Sequence, residues 1–125
     1  MPPKIEVTIY RDRWLRGSFR ESMLLDIEGH RCCLGFAMAA EGFEDKYLYV
    51  RATPGTHKDH TGSRLTIMKH GEAVASTEWA KRAMRINDDS KRIDAEREAE
   101  LKALCSEDDS PFVFKFVDSE EEDQR

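Results

Sequence analysis

Gly29-His30-Arg31-Cys32-Cys33-Leu34-Gly35-Phe36-Ala37-Met38-Ala39-Ala40-Glu41-Gly42 is the only long apolar run in a chain whose charged content is 36%. From Cys32 to Ala40 no residue is charged, and every face of a helix drawn there is apolar or small. A helix that is apolar all round is a buried helix, so the stretch predicts a central helix near residues 33–41. Gly42 follows as a left-handed stop. Upstream, Met23-Leu24-Leu25-Asp26-Ile27-Glu28-Gly29 reads as a short strand entering a Gly-containing turn. The organising unit is therefore a strand, a tight turn, a return through Arg31-Cys32 and then the helix.

The flanking segments supply layers for that unit. Lys4 to Tyr10 alternates, with Ile5, Val7 and Ile9 on one face and Glu6, Thr8 and Tyr10 on the other, which is the pattern of a half-buried strand. Arg11 to Arg20 is a loop with a turn at Gly17-Ser18. Glu44 to Val50 fits either a turn of helix or an extended connector. Residues 51–71 carry Pro54-Gly55, Gly62 and Gly71. Loops of that length tend to be functional or mobile, and Leu65-Thr66-Ile67-Met68 inside it suits a short strand or helical turn. Ser76 or Thr77 caps a helix to about Ile86, with Trp79, Ala80, Ala83, Met84 and Asn87 facing inward. After a break at Asn87-Asp88-Asp89-Ser90, a helix over Lys91–Cys105 sets Ile93, Leu101, Leu104 and Cys105 on one stripe, with Ala95, Ala99 and Ala103 beside it. Glu98 and Lys102 make a surface pair. Pro111 opens the strongest strand, Phe112–Val117, whose three phenylalanines face inward and which pairs with the first or second strand. The fold expected is α+β: a small, mainly antiparallel sheet with about three helices packed on one face. Residues 1–118 form the domain, and 119–125 an acidic tail that is solvated and frayed.

Composition narrows the function classes. A chain of 125 residues is one domain and buries roughly two-thirds of its unfolded surface. Its net charge is −5, with +2 in residues 1–70 and −7 in residues 71–125. It lacks the excess of Lys and Arg from which affinity for a phosphate backbone comes, so no nucleic acid polymer is expected as partner. No run approaches transmembrane length. Met1-Pro2-Pro3-Lys4 leads into an alternating segment rather than an apolar leader, and three cysteines, two adjacent, make no disulfide framework. We expect a reduced, cytoplasmic protein.

Few residues invite chemistry. Cys32-Cys33 lacks the spacer of a zinc knuckle and reads as two small core residues, although His30 and Arg31 beside it could favour a thiolate. His57 and His60, with His70 further on, have the spacing of two metal ligands but no third, and read as solvated loop histidines. Arg13-Trp14-Leu15-Arg16 and Phe19-Arg20 interleave cations with aromatics. That suits stacking on a base and pairing with a phosphate, and equally suits an amphipathic loop whose aromatics plug the sheet. Arg97 falls on the core-facing stripe, where it needs an anion: either a ligand phosphate or an ion pair with Asp88 or Asp89. Asn87, at the end of the Trp79 helix, either terminates that helix or reads a base edge with its donor and acceptor together. No enzyme signature is present.

Trp14-Leu15-Arg16-Gly17, Leu24-Leu25, Gly29, Cys32-Cys33-Leu34-Gly35-Phe36 and Gly42-Phe43 resemble a recurring pattern in small phage-encoded proteins. Trp79, Ile86-Asn87-Asp88, Arg97-Glu98 and the aromatic final strand extend it over most of the chain. Within that group the sequence is most similar to the phage Thoeris anti-defence sponge family. The resemblance implies a non-enzymatic protein that sequesters the cyclic ADP-ribose-like signal made by a bacterial TIR-domain protein. Some members also hold cyclic oligonucleotides at separate sites. It implies a dimer or larger homo-oligomer, no cofactor and no metal, acting in the host cytoplasm. It also implies ligand recognition by an aromatic, an Asn and arginines, matched here to Trp79, Asn87, Arg97 and Arg20. Arg16 and Trp14 join them from the interleaved segment. Two other readings stand beside it: an acidic protein–protein inhibitor whose second half covers a basic partner, and an enzyme using His30, Cys32 or Cys33.

Overall fold

A computed structural model describes residues 4–16, 24–45, 67–69, 72–75 and 77–123. The chain runs through β1 (Ile5–Tyr10), a 3-10 turn (Arg11–Arg13), α1 (Cys33–Ala40), β2 (Ile67–Lys69), β3 (Glu72–Ala75), α2 (Thr77–Asp88), α3 (Asp94–Cys105), β4 (Phe112–Val117) and α4, a helical turn over Glu120–Asp123. Helices and strands share one core, so the fold is α+β.

β1 and β4 pair in parallel, from Ile5 opposite Phe112 to Tyr10 opposite Val117. Among the described residues only β2 and β3 are antiparallel, with an irregularity between Ile67 and Met68. The expectation of a mainly antiparallel sheet is thus corrected. Alternation with period two sorts side chains onto faces but carries no information about strand direction. Among the described residues the connection from β1 to β4 passes through three helices, ample for the crossover a parallel pair requires. Val7 and Ile9 face Phe112, Phe114 and Phe116 in the core, while Glu6, Val113 and Lys115 point outward. Trp79 of α2 packs on Phe112 and Phe114, ring centroids 5.4 and 6.2 Å away. α1 lies against β1, α3 against β4, and α2 touches both other helices.

α1 is buried from Cys33 to Met38, as its uniform apolarity requires. It ends in two reverse hydrogen bonds: the Gly42 N–H donates to Ala39 O at 3.1 Å and the Phe43 N–H to Met38 O at 3.0 Å. Gly42 sits at φ 101°, a left-handed position natural to glycine in this helix-ending motif. The approach to α1 is a turn rather than a strand over Met23–Ile27. Met23 lies outside the described residues. Leu24 and Leu25 are buried, but Asp26 folds the chain back: its Oδ1 accepts the Glu28 and His30 N–H groups at 2.9 and 2.8 Å. Ile27 sits on the tip of that turn, 74% exposed. An aspartate able to bond the backbone two residues on initiates a turn whatever apolar residues flank it.

Three further expectations change. α3 begins at Asp94, so Ile93 precedes the helix and is exposed, and Ala95, Ala99 and Ala103 face solvent. Glu98 pairs with Arg11 of the first turn, its two oxygens each 2.8 Å from a guanidinium nitrogen, rather than with Lys102. The acidic tail is not frayed over α4, which docks on the end of the β1–β4 pair. Residues 46–66, most of the long loop with its histidines, lie outside the described residues, as does His70. No helix among the described residues is long and apolar enough to cross a membrane.

Gly35 lies where α1 crosses the backbone of Leu24. A Cβ there would stand 2.0 Å from Leu24 O and 2.8 Å from its carbonyl carbon, and backbone cannot step aside as a side-chain tip can. Gly35→Ala should cost about 3 kcal/mol of stability through overpacking. Gly29→Ala should cost about 1 kcal/mol, from left-handed strain alone, because its Cβ would meet open space. Urea denaturation of the two variants checks the ranking, and equal midpoints would contradict it.

Candidate functional site

The site grows from one carboxamide. Asn87 occupies the last turn of α2 on the face that carries Trp79, Ala80 and Ala83, and it is fully buried. Its Oδ1 accepts the Trp14 indole N–H at 2.7 Å and the Cys33 backbone N–H at 3.0 Å. Its Nδ2 donates to Leu15 O at 2.9 Å and to Asp88 Oδ1 at 2.8 Å. A carboxamide has two donors and an oxygen with two lone pairs, and here all four are spent. The orientation is fixed by the neighbours, since exchanging O and N would set an NH2 against two N–H donors. One side chain thereby ties the Trp14–Leu15 segment, the start of α1 and the end of α2. The edge expected to read a base is engaged with the protein itself.

Trp14, 5% exposed, packs on Phe116 with ring centroids 5.1 Å apart. The Arg16 guanidinium carbon lies 4.7 Å from the Trp14 ring centroid. Arg16 Nη1 donates to Trp14 O at 2.9 Å and Arg11 O at 3.1 Å, and its Nη2 to Asp94 Oδ2 at 2.9 Å. Arg97, 3% exposed, donates to the other Asp94 oxygen at 2.6 Å and to the backbone oxygens of Asp89 and Arg92 at 2.5 and 2.9 Å. Arg97 therefore finds its anion, but the carboxylate is Asp94, one helical turn back, and not Asp88 or Asp89. Asp94 bridges the two arginines. The Arg16 hydrogen bond lowers its carboxyl below the ordinary aspartate value, against the opposing effect of burial. The Nε atoms of Arg16 and Arg97 are buried without a hydrogen-bond partner.

Four of the six residues expected to bind a ligand thus converge at the α2–α3 corner: Trp14, Arg16, Asn87 and Arg97. Trp79 does not join them. It precedes Asn87 by eight residues on α2, about 12 Å along the axis, and is 1% exposed in the core. The expectation of a crevice in which this indole stacks on a base beside Asn87 is corrected accordingly. Arg20 lies outside the described residues. The residue missed in the sequence is Asp94, whose i,i+3 spacing to Arg97 was the available signal.

The cysteines are core residues. Cys32, Cys33 and Cys105 are free and buried. Burial pushes the Cys32 thiol up to about 12, opposed in part by the N–H groups of Gly35 and Leu34. Burial likewise raises Cys33 well above its ordinary value, and raises Cys105. The groups expected to favour a thiolate are engaged elsewhere: His30 Nδ1 lies 3.3 Å from Asp26 Oδ2, and Arg31 Nη2 lies 2.8 Å from Asp45 Oδ1. Among the described residues no group of three or more His, Cys, Asp or Glu is placed to hold a metal ion.

Comparison with known proteins found no matching family model, curated protein or solved structure.

Asn87→Ala should leave the Trp14 N–H, the Cys33 N–H and the Leu15 oxygen unpaired in the interior, costing about 3 kcal/mol or more. Asn87→Asp should also destabilise, because a carboxylate oxygen would then face Leu15 O and the Asp88 carboxylate. Denaturant melts check both, and a loss below about 1 kcal/mol for Asn87→Ala, the net worth of one ordinary hydrogen bond, would contradict the four-bond clip.

Proposed function

We propose that this protein is a phage immune-evasion binding protein that sequesters a cyclic ADP-ribose-type nucleotide second messenger in the host cytoplasm without turning it over. One observation carries the reading. The residues on which the resemblance rests are scattered along the chain, yet they meet. Trp14, Cys33 and Asn87 share one hydrogen-bonded clip, with Arg16 and Arg97 on a common carboxylate beside it. Their convergence is what a shared scaffold under one site requires.

Within this reading the six residues divide their tasks. Arg16, with 23% of its side chain exposed, is the least buried of the four that converge and would take a ligand phosphate through the Nη2 N–H that Asp94 does not use, a charge-assisted hydrogen bond. Asn87, Arg97 and Trp14 hold it in position from behind, Trp79 belongs to the core, and Arg20 extends the cationic segment. Exposed Ile27, Ile93 and Val113 leave apolar surface for the homo-oligomer that the proposal includes. The acidic-inhibitor reading has less to draw on. Many carboxylates of the second half are already paired with the chain's own cations: Asp94, Glu98, Glu107, Asp118, Glu120 and Asp123.

The test is to incubate the protein with cyclic ADP-ribose, remove free nucleotide, denature the protein and chromatograph what is released. Intact nucleotide is the expected result. A converted nucleotide would make the protein an enzyme, and an empty protein would leave the inhibitor. Arg16→Ala should weaken binding at least tenfold, about 1.4 kcal/mol, while the variant stays folded. Light scattering should return a dimer or larger.

A further inference from the structure

The C-terminal turn brings a row of carboxylates onto a row of cations. Asp118, Glu120, Glu121, Glu122 and Asp123 crowd into six residues. Asp118 Oδ1 lies 2.8 Å from Arg11 Nη1, Glu120 Oε2 lies 3.3 Å from Arg13 Nη1, and Asp123 Oδ1 lies 3.4 Å from Lys115 Nζ. The Tyr10 hydroxyl donates to Asp123 Oδ2 at 3.3 Å. Three elements converge to build the underlying surface: the end of β1, the 3-10 turn after it, and the outward face of β4. Arg13 and Lys115 are each about half exposed, at 52% and 53%, and neither forms a second ion pair among the described residues. Arg11, by contrast, keeps Glu98 as a partner whether or not the tail is seated.

We infer that α4 is a self-occupying anion: its carboxylates stand on an oligophosphate-binding surface made by Arg13, Lys115 and Tyr10, and a phosphate-bearing ligand displaces it. Carboxylate and phosphate oxygens are recognised by the same donors, and phosphate offers more of them per group. Ion pairs this exposed are individually weak, and α4 is a single turn with little to stabilise it alone. Its advantage is that it is tethered, so it competes at high effective concentration. The nature of the natural ligand rests on the nucleotide reading above; the surface itself does not.

Calorimetric titration of the full chain with inorganic tripolyphosphate tests the surface. Glu120→Gln with Asp123→Asn removes the competing charge at nearly constant shape, and should tighten binding at least fivefold. Adding Arg13→Ala and Lys115→Ala to that variant should abolish the gain. Melting curves establish that each variant is folded, and Glu121→Gln, a carboxylate with no cation partner among the described residues, serves as the charge control. Unchanged affinity in the double variant, a gain that survives loss of both cations, or an equal gain from Glu121→Gln would each overturn the proposal. Titration with cyclic ADP-ribose separates the two readings. If the double variant gains affinity for tripolyphosphate but no form binds the nucleotide, the surface stands and the nucleotide assignment falls.

Discussion

The buried carboxamide of Asn87 is the interaction on which the rest of the structure depends. It is the point at which three segments that are distant in sequence are held at hydrogen-bond distance: Trp14-Leu15, Cys33 and the end of α2. Each bond replaces one that the group would otherwise make with water, so the net gain per bond is modest. The penalty for losing the hub is larger, because several buried donors and acceptors would be stranded together. Leucine would fill the volume but offer nothing to the indole N–H. Aspartate would accept from the two N–H groups and repel Leu15 O. Only a carboxamide of this length presents both donor and acceptor here.

Packing and hydrogen bonding meet at α1. The helix begins where Asn87 receives the Cys33 N–H, and two residues later it presses on Leu24 so closely that only glycine fits at position 35. The Cys-Cys-Leu-Gly run is therefore explained without any reactivity. Two small thiols and a leucine fill the interior, and a glycine permits close backbone approach. On the far side of the core, Trp14 lies on Phe116 and Trp79 on Phe112 and Phe114. One face of β4 thus contacts both indoles, and pairing with β1 sets the first and last strands of the described chain side by side.

Much of this was legible in the sequence, for identifiable reasons. A run apolar on every side can only be a buried helix, and α1 is one. The stripe of Trp79, Ala80, Ala83 and Asn87 on α2, and the alternating phenylalanines of β4, follow from helical and strand periodicity. Arg97 was legible as a buried cation because it stands one turn before Leu101. Other features depended on partners that periodicity does not specify. The direction of β1 relative to β4 leaves no trace in alternation. Ile93 is apolar but precedes the helix, so the stripe drawn through it was one turn too long, while Leu101, Leu104 and Cys105 are buried as expected. Asp26 outcompeted its apolar neighbours by bonding the backbone. Asn87 was visible as an inward polar residue, but its partners lie 54 and 73 residues away. A ligand edge and a structural clip therefore looked alike.

The same constraint shapes the functional account. Under the proposed function the fully satisfied hub is not itself open to a ligand, and the groups that would meet an anion are the peripheral cations Arg16, Arg13 and Lys115. The most direct test of the hub is native-state hydrogen exchange at the Trp14 indole N–H and the Cys33 backbone N–H, followed by NMR. Both protons are bonded to Asn87, so both should exchange only through global opening, with free energies within about 1 kcal/mol of the denaturant value. Exchange of either proton at a much lower free energy, while the β1–β4 ladder stays protected, would show that the clip opens on its own and would contradict its central place.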